Sequence, residues 1–253
     1  MSEVSRSHIS SGAFWPMMSI VQPYAHIFSQ GLFITPQEGK PGAQISYNNH
    51  YRIAVFHDAA AEVAGTIFVP RPQRFRLPAN SWARAMDRGV VVEERAKEID
   101  ISYDDPKGQP RTVVTDYPSI PARAPNWQEI IRPDHLLPIS VLETEDARRK
   151  LHVSANSVRA FTRAFGQELE QFVMMVKVMT KEGSPQEYAP AWFAIGRTSD
   201  VLVMEPTFVS QDADTGAFRG RRMEGKVFNY DKLPKVPESD FARVTGRIKE
   251  LIG

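Results

Sequence analysis

A chain of 253 residues, 42% of them hydrophobic, can bury one large core or two smaller ones. Its 31 Lys and Arg nearly balance 30 Asp and Glu, for a formal net charge of +1, so nucleic-acid contact would need local patches rather than global charge. Cysteine is absent, which excludes disulfides, thiolate nucleophiles and Cys-based zinc sites, and no apolar run approaches the roughly 20 residues of a membrane span. The start MSEVSRSHISSG lacks the basic and apolar pattern of a signal peptide, so a cytoplasmic protein is expected.

In chain order, a helix is expected over about 13–22, with Pro16 tolerated in its first turn. HIFSQGLFITPQ suits a strand. AQISYNNHYRIAVFHD reads as two strands around an Asn-Asn turn, and VAGTIFVP as another strand stopped at Pro70. LPANSWARAMDRG, over 77–89, is a helix with Gly89 as its C-cap. GVVVEERAKEIDISYDDPKGQPRTVVTDYP gives three strands with a tight turn over 105–108. Prolines 118, 121, 125, 133 and 138 mark an extended crossing between modules. Then the pattern returns: a helix VSANSVRAFTRAFG over 153–166, followed by the strands QFVMMVKVMT, APAWFAIG and DVLVMEP. The tail is polar until ESDFARVTGRIKELIG, an amphipathic helix with Phe241, Val244, Ile248 and Leu251 on one face.

The Ala-Asn-Ser helix thus occurs twice, at Ala79 and at Ala155, each time before a run of antiparallel strands. Such units pack side by side and continue one another's sheets, which gives an α+β fold of repeated helix and antiparallel-sheet modules. Its domains are expected over 1–133, over 134–209 as a partial second module, and over 210–253 as a tail. In the second helix Val158, Phe161 and Phe165 share a face, and Arg159 and Arg163 stand four apart on another. In the first helix Trp82 and Met86 take the apolar role, and Arg84 and Arg88 the basic one. Arg148, Arg149 and Lys150 precede the second helix; Arg71, Arg74 and Arg76 precede the first. A single arginine pair is ordinary solvated surface. Two equivalent pairs with basic approaches suggest a surface that follows duplex phosphates without sequence specificity.

Several stretches in fixed order carry a resemblance: GLFIT, NNHYRIAVFHD, TIFVPRP, YPSIPARAPNWQEIIRP, WFAIG and DVLVMEP. Together they resemble the bacterial sliding clamp, the β subunit of the replicative DNA polymerase, in a divergent and shortened form. Asn49 and His50 stand where that family has Asp-Gly, and Glu205 separates Met204 from Pro206. The resemblance implies a ring with helices lining its hole, a processivity and recruitment function with no catalytic residue, and no cofactor. It implies duplex DNA as one partner, a clamp loader, and polymerase or other DNA enzymes bound through short hydrophobic motifs. By matched position their groove would comprise Tyr51, Arg52, Ile53, Pro125, Trp127, Ile130, Leu202, Val203, Met204 and Pro206. Aromatic, aliphatic and methionine side chains suit such a groove. Singly, Ile53, Ile130 and Val203 also suit a plain core. If the N-terminal helix counts as a ring helix, a tetramer closes the ring; one further hidden half-domain gives a trimer.

Other chemistry has little support. The six histidines show no metal-ligand spacing, His50 and His57 included, and Asp100, Asp104 and Asp105 flank a turn. Walker A, GxGxxG and GxSxG motifs are absent. The alternative function is a clamp-fold binding module or regulator of replication proteins that has lost the ring, with the tail helix covering the groove or capping a sheet edge. A third is an unrelated single-strand binder with Trp and Phe stacking platforms.

Overall fold

A computed structural model describes residues 5–21, 31–48, 53–71, 89–95, 97–105, 107–116, 136–137, 155–165, 169–178, 187–197, 200–206, 209–211, 218–220, 236 and 238–252. Residues 77–88 of the helix expected over 77–89 lie outside them. The chain divides into two compact units, one of 1–49, 54–125 and 163–165, the other of 50–53, 126–162 and 166–253.

In the first unit, β1 (Ser5–Ile9), β6 (Val90–Glu94), β7 (Glu98–Asp104) and β8 (Pro110–Asp116) form an antiparallel sheet in that order. A second layer runs β5 (Ile67–Pro70), β2 (Gly31–Pro36), β3 (Ala43–Asn48), β4 (Ile53–Asp58). The strands expected from the sequence are all present. β1 was not expected: its partner β6 lies far along the chain, and SRSHI carries little local strand signal. The expected 13–22 helix is α1, Ser11–Ile20, which starts two residues earlier and so places Pro16 in its second turn rather than its first. It packs on β2 and β3 and buries Phe14, Trp15, Met17, Met18 and Ile20. Trp15 also meets Tyr103 of β7 edge to face at 4.9 Å. Burial beside this indole pushes the Tyr103 hydroxyl pKa up.

Both ends of α1 are tied to distant strands. The buried Asp58 carboxylate, at the end of β4, accepts from Ser10 N at 2.7 Å and from Ala60 N at 3.2 Å. The carboxylate satisfies the Ser10 donor at the helix entry and complements the helix dipole there, while its bond to Ala60 N closes the turn after β4. At the other end, Arg71 Nη1 donates to the Val21 carbonyl, as a cation at a helix C-terminus should. Arg71, expected as part of a basic DNA approach, therefore serves as a structural clasp.

Gly42 (φ +90°) lies so close to β4 that a Cβ would sit 2.1 Å from the Asp58 carbonyl oxygen. Gly39 (φ +73°) has open space around it. Gly42→Ala should cost about 2–4 kcal/mol, strain plus clash, against about 1 kcal/mol for Gly39→Ala. Urea midpoints of the two variants check the difference.

The turn between β7 and β8 is where it was expected, with Gly108 at φ +72° and Gly108 N donating to the Asp105 carbonyl at 2.8 Å. The Asp105 carboxylate accepts from Gln109 N (3.0 Å), Lys107 N (2.9 Å) and the Arg111 guanidinium (3.0 and 3.1 Å). The Gln109 amide, then the Lys107 amide and Arg111, hold its pKa below the ordinary carboxylate value. A lowered folded pKa means that this support is present above the ordinary carboxylate range and is lost as pH falls through the lowered value. Amide exchange at Lys107 and Gln109 should therefore quicken on acidification beyond its intrinsic pH trend, and Asp105→Asn should remove the excess.

The second unit has strand order β9 (Leu136–Leu137), β10 (Leu169–Val178), β11 (Glu187–Gly196), β12 (Val201–Pro206), with a small hairpin of β13 (Val209–Gln211) and β14 (Phe218–Gly220). Two helices accompany it: α2, Ala155–Phe165, whose residues 163–165 count with the first unit, and α3, Glu238–Ile252. Residues Ala191 to Ile195 of β11 are all buried, so this central strand is covered on both faces. Phe161 of α2 stacks on Trp192 at 5.5 Å, which places α2 on the Trp192 face. The pairs Glu170–Ile195 and Ile195–Leu202 form a row on the opposite face. Arg243 of α3 bonds Glu170 at 3.1 Å, so α3 covers that side, and it packs on β12. Among the described residues no helix is long and apolar enough to cross a membrane.

Candidate nucleic-acid and partner interface

α2 turns Phe161, Ala164 and Phe165 into the core and leaves Arg163 exposed in its last turn. The expected split of the helix into an apolar and a basic face holds for these residues. A cation there also suits the helix dipole. Arg159 lies one turn earlier on α2, which has no acidic residue in its first turn. Arg84, Arg88, Arg148, Arg149 and Lys150 lie outside the described residues.

Of the partner-groove residues, Tyr51, Arg52, Pro125, Trp127 and Ile130 lie outside the described residues. Met204 and Pro206 stand on β12. Ile53 is buried at the start of β4, and Leu202 and Val203 are fully buried on β12. Leu202 pairs with Ile195 on the α3 side, whereas Val203 pairs with Ala194 on the α2 side. Successive residues of a strand point to opposite faces, so these two do not line one groove together. Val203 is core under α2. Leu202 is the member that belongs to the face under α3.

That face has a charged margin which the sequence reading did not single out. Arg243 bonds Glu170, and Arg247, one turn on, bonds Asp200 at 2.5 Å, just before β12. The Glu170 carboxylate holds the Arg243 pKa above its usual value. An i, i+4 arginine pair was the available signal, identical in spacing to Arg159 and Arg163.

Among the described residues no group of three His, Asp or Glu converges as a metal site. Asp100 is engaged by Arg95 at 2.8 Å and Asp105 by its turn. His57 Nε2 lies 2.9 Å from the Pro41 carbonyl. His50 lies outside the described residues.

No family model and no curated protein matches the chain. The solved structures to which it is similar include the β sliding clamp of Caulobacter crescentus, at 11% identity and TM-score 0.44, covering 83% of this chain and 68% of that one. A sliding clamp of Bartonella birtlesii bound to griselimycin is 11% identical, TM-score 0.44, covering 81% and 66%. The DNA polymerase III β subunit of Borrelia burgdorferi is 10% identical, TM-score 0.42, covering 83% and 65%. The chain spans about two thirds of the length of these clamps.

Proposed function

We propose that this protein is a sliding-clamp-like processivity and recruitment factor. It forms a trimeric or tetrameric ring, encloses duplex DNA without sequence preference and tethers DNA polymerase or other DNA enzymes through an apolar face. It works in the cytoplasm without a cofactor or a catalytic step. The observation that supports this most directly is α2, a helix with an aromatic face on an antiparallel sheet and an exposed arginine on its other side. Such a helix offers loose phosphate contacts from a rigid support. Tethering would raise the local concentration of the bound enzyme at DNA.

Light scattering after size exclusion, across a concentration series, tests the ring. A discrete trimer or tetramer that stays on nicked circular duplex and runs off when the circle is linearised is the expected result. A stable monomer overturns the ring.

One observation favours the second reading, a clamp-fold binding module without a ring. Helix α1 has no charged residue and buries eight of its ten positions, so it is a core helix and offers no cation to DNA. A monomer that still binds partner peptides would establish that reading.

A further inference from the structure

The tail helix α3 buries Val244, Ile248, Leu251 and Ile252, while Arg243 and Arg247 reach Glu170 and Asp200 beside the same face. These ion pairs are partly solvated, with side chains 38–57% exposed, so they orient the helix more than they hold it. The helix is also weak in itself. Thr245 and Gly246 occupy its middle, and a Cβ at Gly246 would meet nothing within 4 Å. Packing therefore gives no reason for a glycine there, and glycine is a poor helix former in the interior. A 15-residue helix of this composition is marginal on its own and owes its order to its docked face.

The face it covers belongs to a sheet whose Phe172, Phe193, Ile195 and Leu202 are all buried, with Phe172 and Phe193 stacked at 5.7 Å. Bared, such a surface would seek another apolar occupant. Two carboxylates mark where that occupant's cations must fall, one helical turn apart.

We propose that the α3 side of β10–β12 is a docking site for amphipathic helical segments with Arg or Lys at i and i+4 beside an apolar stripe, and that α3 is its built-in, displaceable occupant. This rests on the reading of Leu202 as part of the partner-binding face. A partner segment of the same chemistry would bind by expelling α3, so the tail sets a threshold for recruitment.

The test uses the full chain and a fluorescent peptide of residues 236–253. In Arg243→Glu/Arg247→Glu the tail meets carboxylate with carboxylate, whereas the peptide keeps its arginines. Peptide affinity should rise about tenfold over the unaltered chain. Gly246→Ala strengthens the tail helix and should lower peptide affinity about fivefold. Adding Glu170→Lys and Asp200→Lys to the loosened chain should abolish the gain, with circular dichroism confirming that each variant is folded. Equal affinity for the loosened, unaltered and tightened chains overturns the proposal. Retention on circular DNA, measured on the same samples, separates the two ideas: its loss in the unaltered chain would sink the clamp reading and leave the peptide result standing.

Discussion

Reversing Arg84, Arg88, Arg159 and Arg163 together to glutamate is expected to abolish retention on circular duplex DNA while leaving the fold intact. Duplex DNA binds such a surface through counterion release, with a log–log salt slope of about −0.9 for each phosphate neutralised. Four arginines in each protomer would contribute a slope of about −3.6 per protomer, and a ring multiplies that. Glutamates add repulsion from the same phosphates. The fold should tolerate the change, because Arg163 projects from α2 away from the face that carries Phe161, Ala164 and Phe165. Thermal midpoints within a degree or two of the parent, together with loss of the DNA complex at all but the lowest salt, are the expected pair of results. Unchanged processivity would refute the DNA role of these arginines. Neutralising Arg148, Arg149 and Lys150 instead should give a milder loss, since a segment before a helix orients its charges less well.

The strands were legible because each is an apolar run bounded by turn residues. β7 and β8 were fixed by Asp105 and Gly108, whose hydrogen bonds close the turn as the sequence implied. The tail helix was legible from its spacing: of the four residues expected on one face, Val244, Ile248 and Leu251 are buried and Phe241 is half-buried. What escaped was long-range. Nothing near Ser5–Ile9 announces that it pairs with Val90–Glu94. Nothing near Arg71 announces that its guanidinium belongs to the end of α1. Which face of β12 each expected groove residue takes was not legible from matched position. Position matching grouped Leu202 with Val203, although a strand separates neighbours onto opposite faces. Residues Ala191 to Ile195 could also have been read as a strand buried on both sides, which demands a second covering element, and α3 is that element.

Packing and the proposed DNA contact meet at Trp192, and its truncation should be the most damaging single core change in the second unit. The indole is fully buried on the central strand β11 and stacks on Phe161, the aromatic anchor of α2. Trp192→Ala removes that support and leaves a large cavity, at a cost of about 3–5 kcal/mol. Trp192→Phe should be far milder, about 1 kcal/mol, because a ring remains against Phe161. Among the described residues the indole Nε1 also has no hydrogen-bond partner, so phenylalanine removes a buried donor whose desolvation is uncompensated. Denaturant midpoints check both numbers. The functional consequence follows from where the helix gets its orientation. Arg163 stands two residues beyond Phe161 on the same helix, so loss of the Trp192 contact weakens one support of the turn that carries it, although Ala164 and Phe165 remain buried. DNA retention should then fall in Trp192→Ala although no charge has changed, and persist in Trp192→Phe. Equal retention in both, at a temperature where both are folded, would mean that the arginines act as a diffuse charge cloud, and that the rigid sheet beneath α2 contributes stability without aiming the contact.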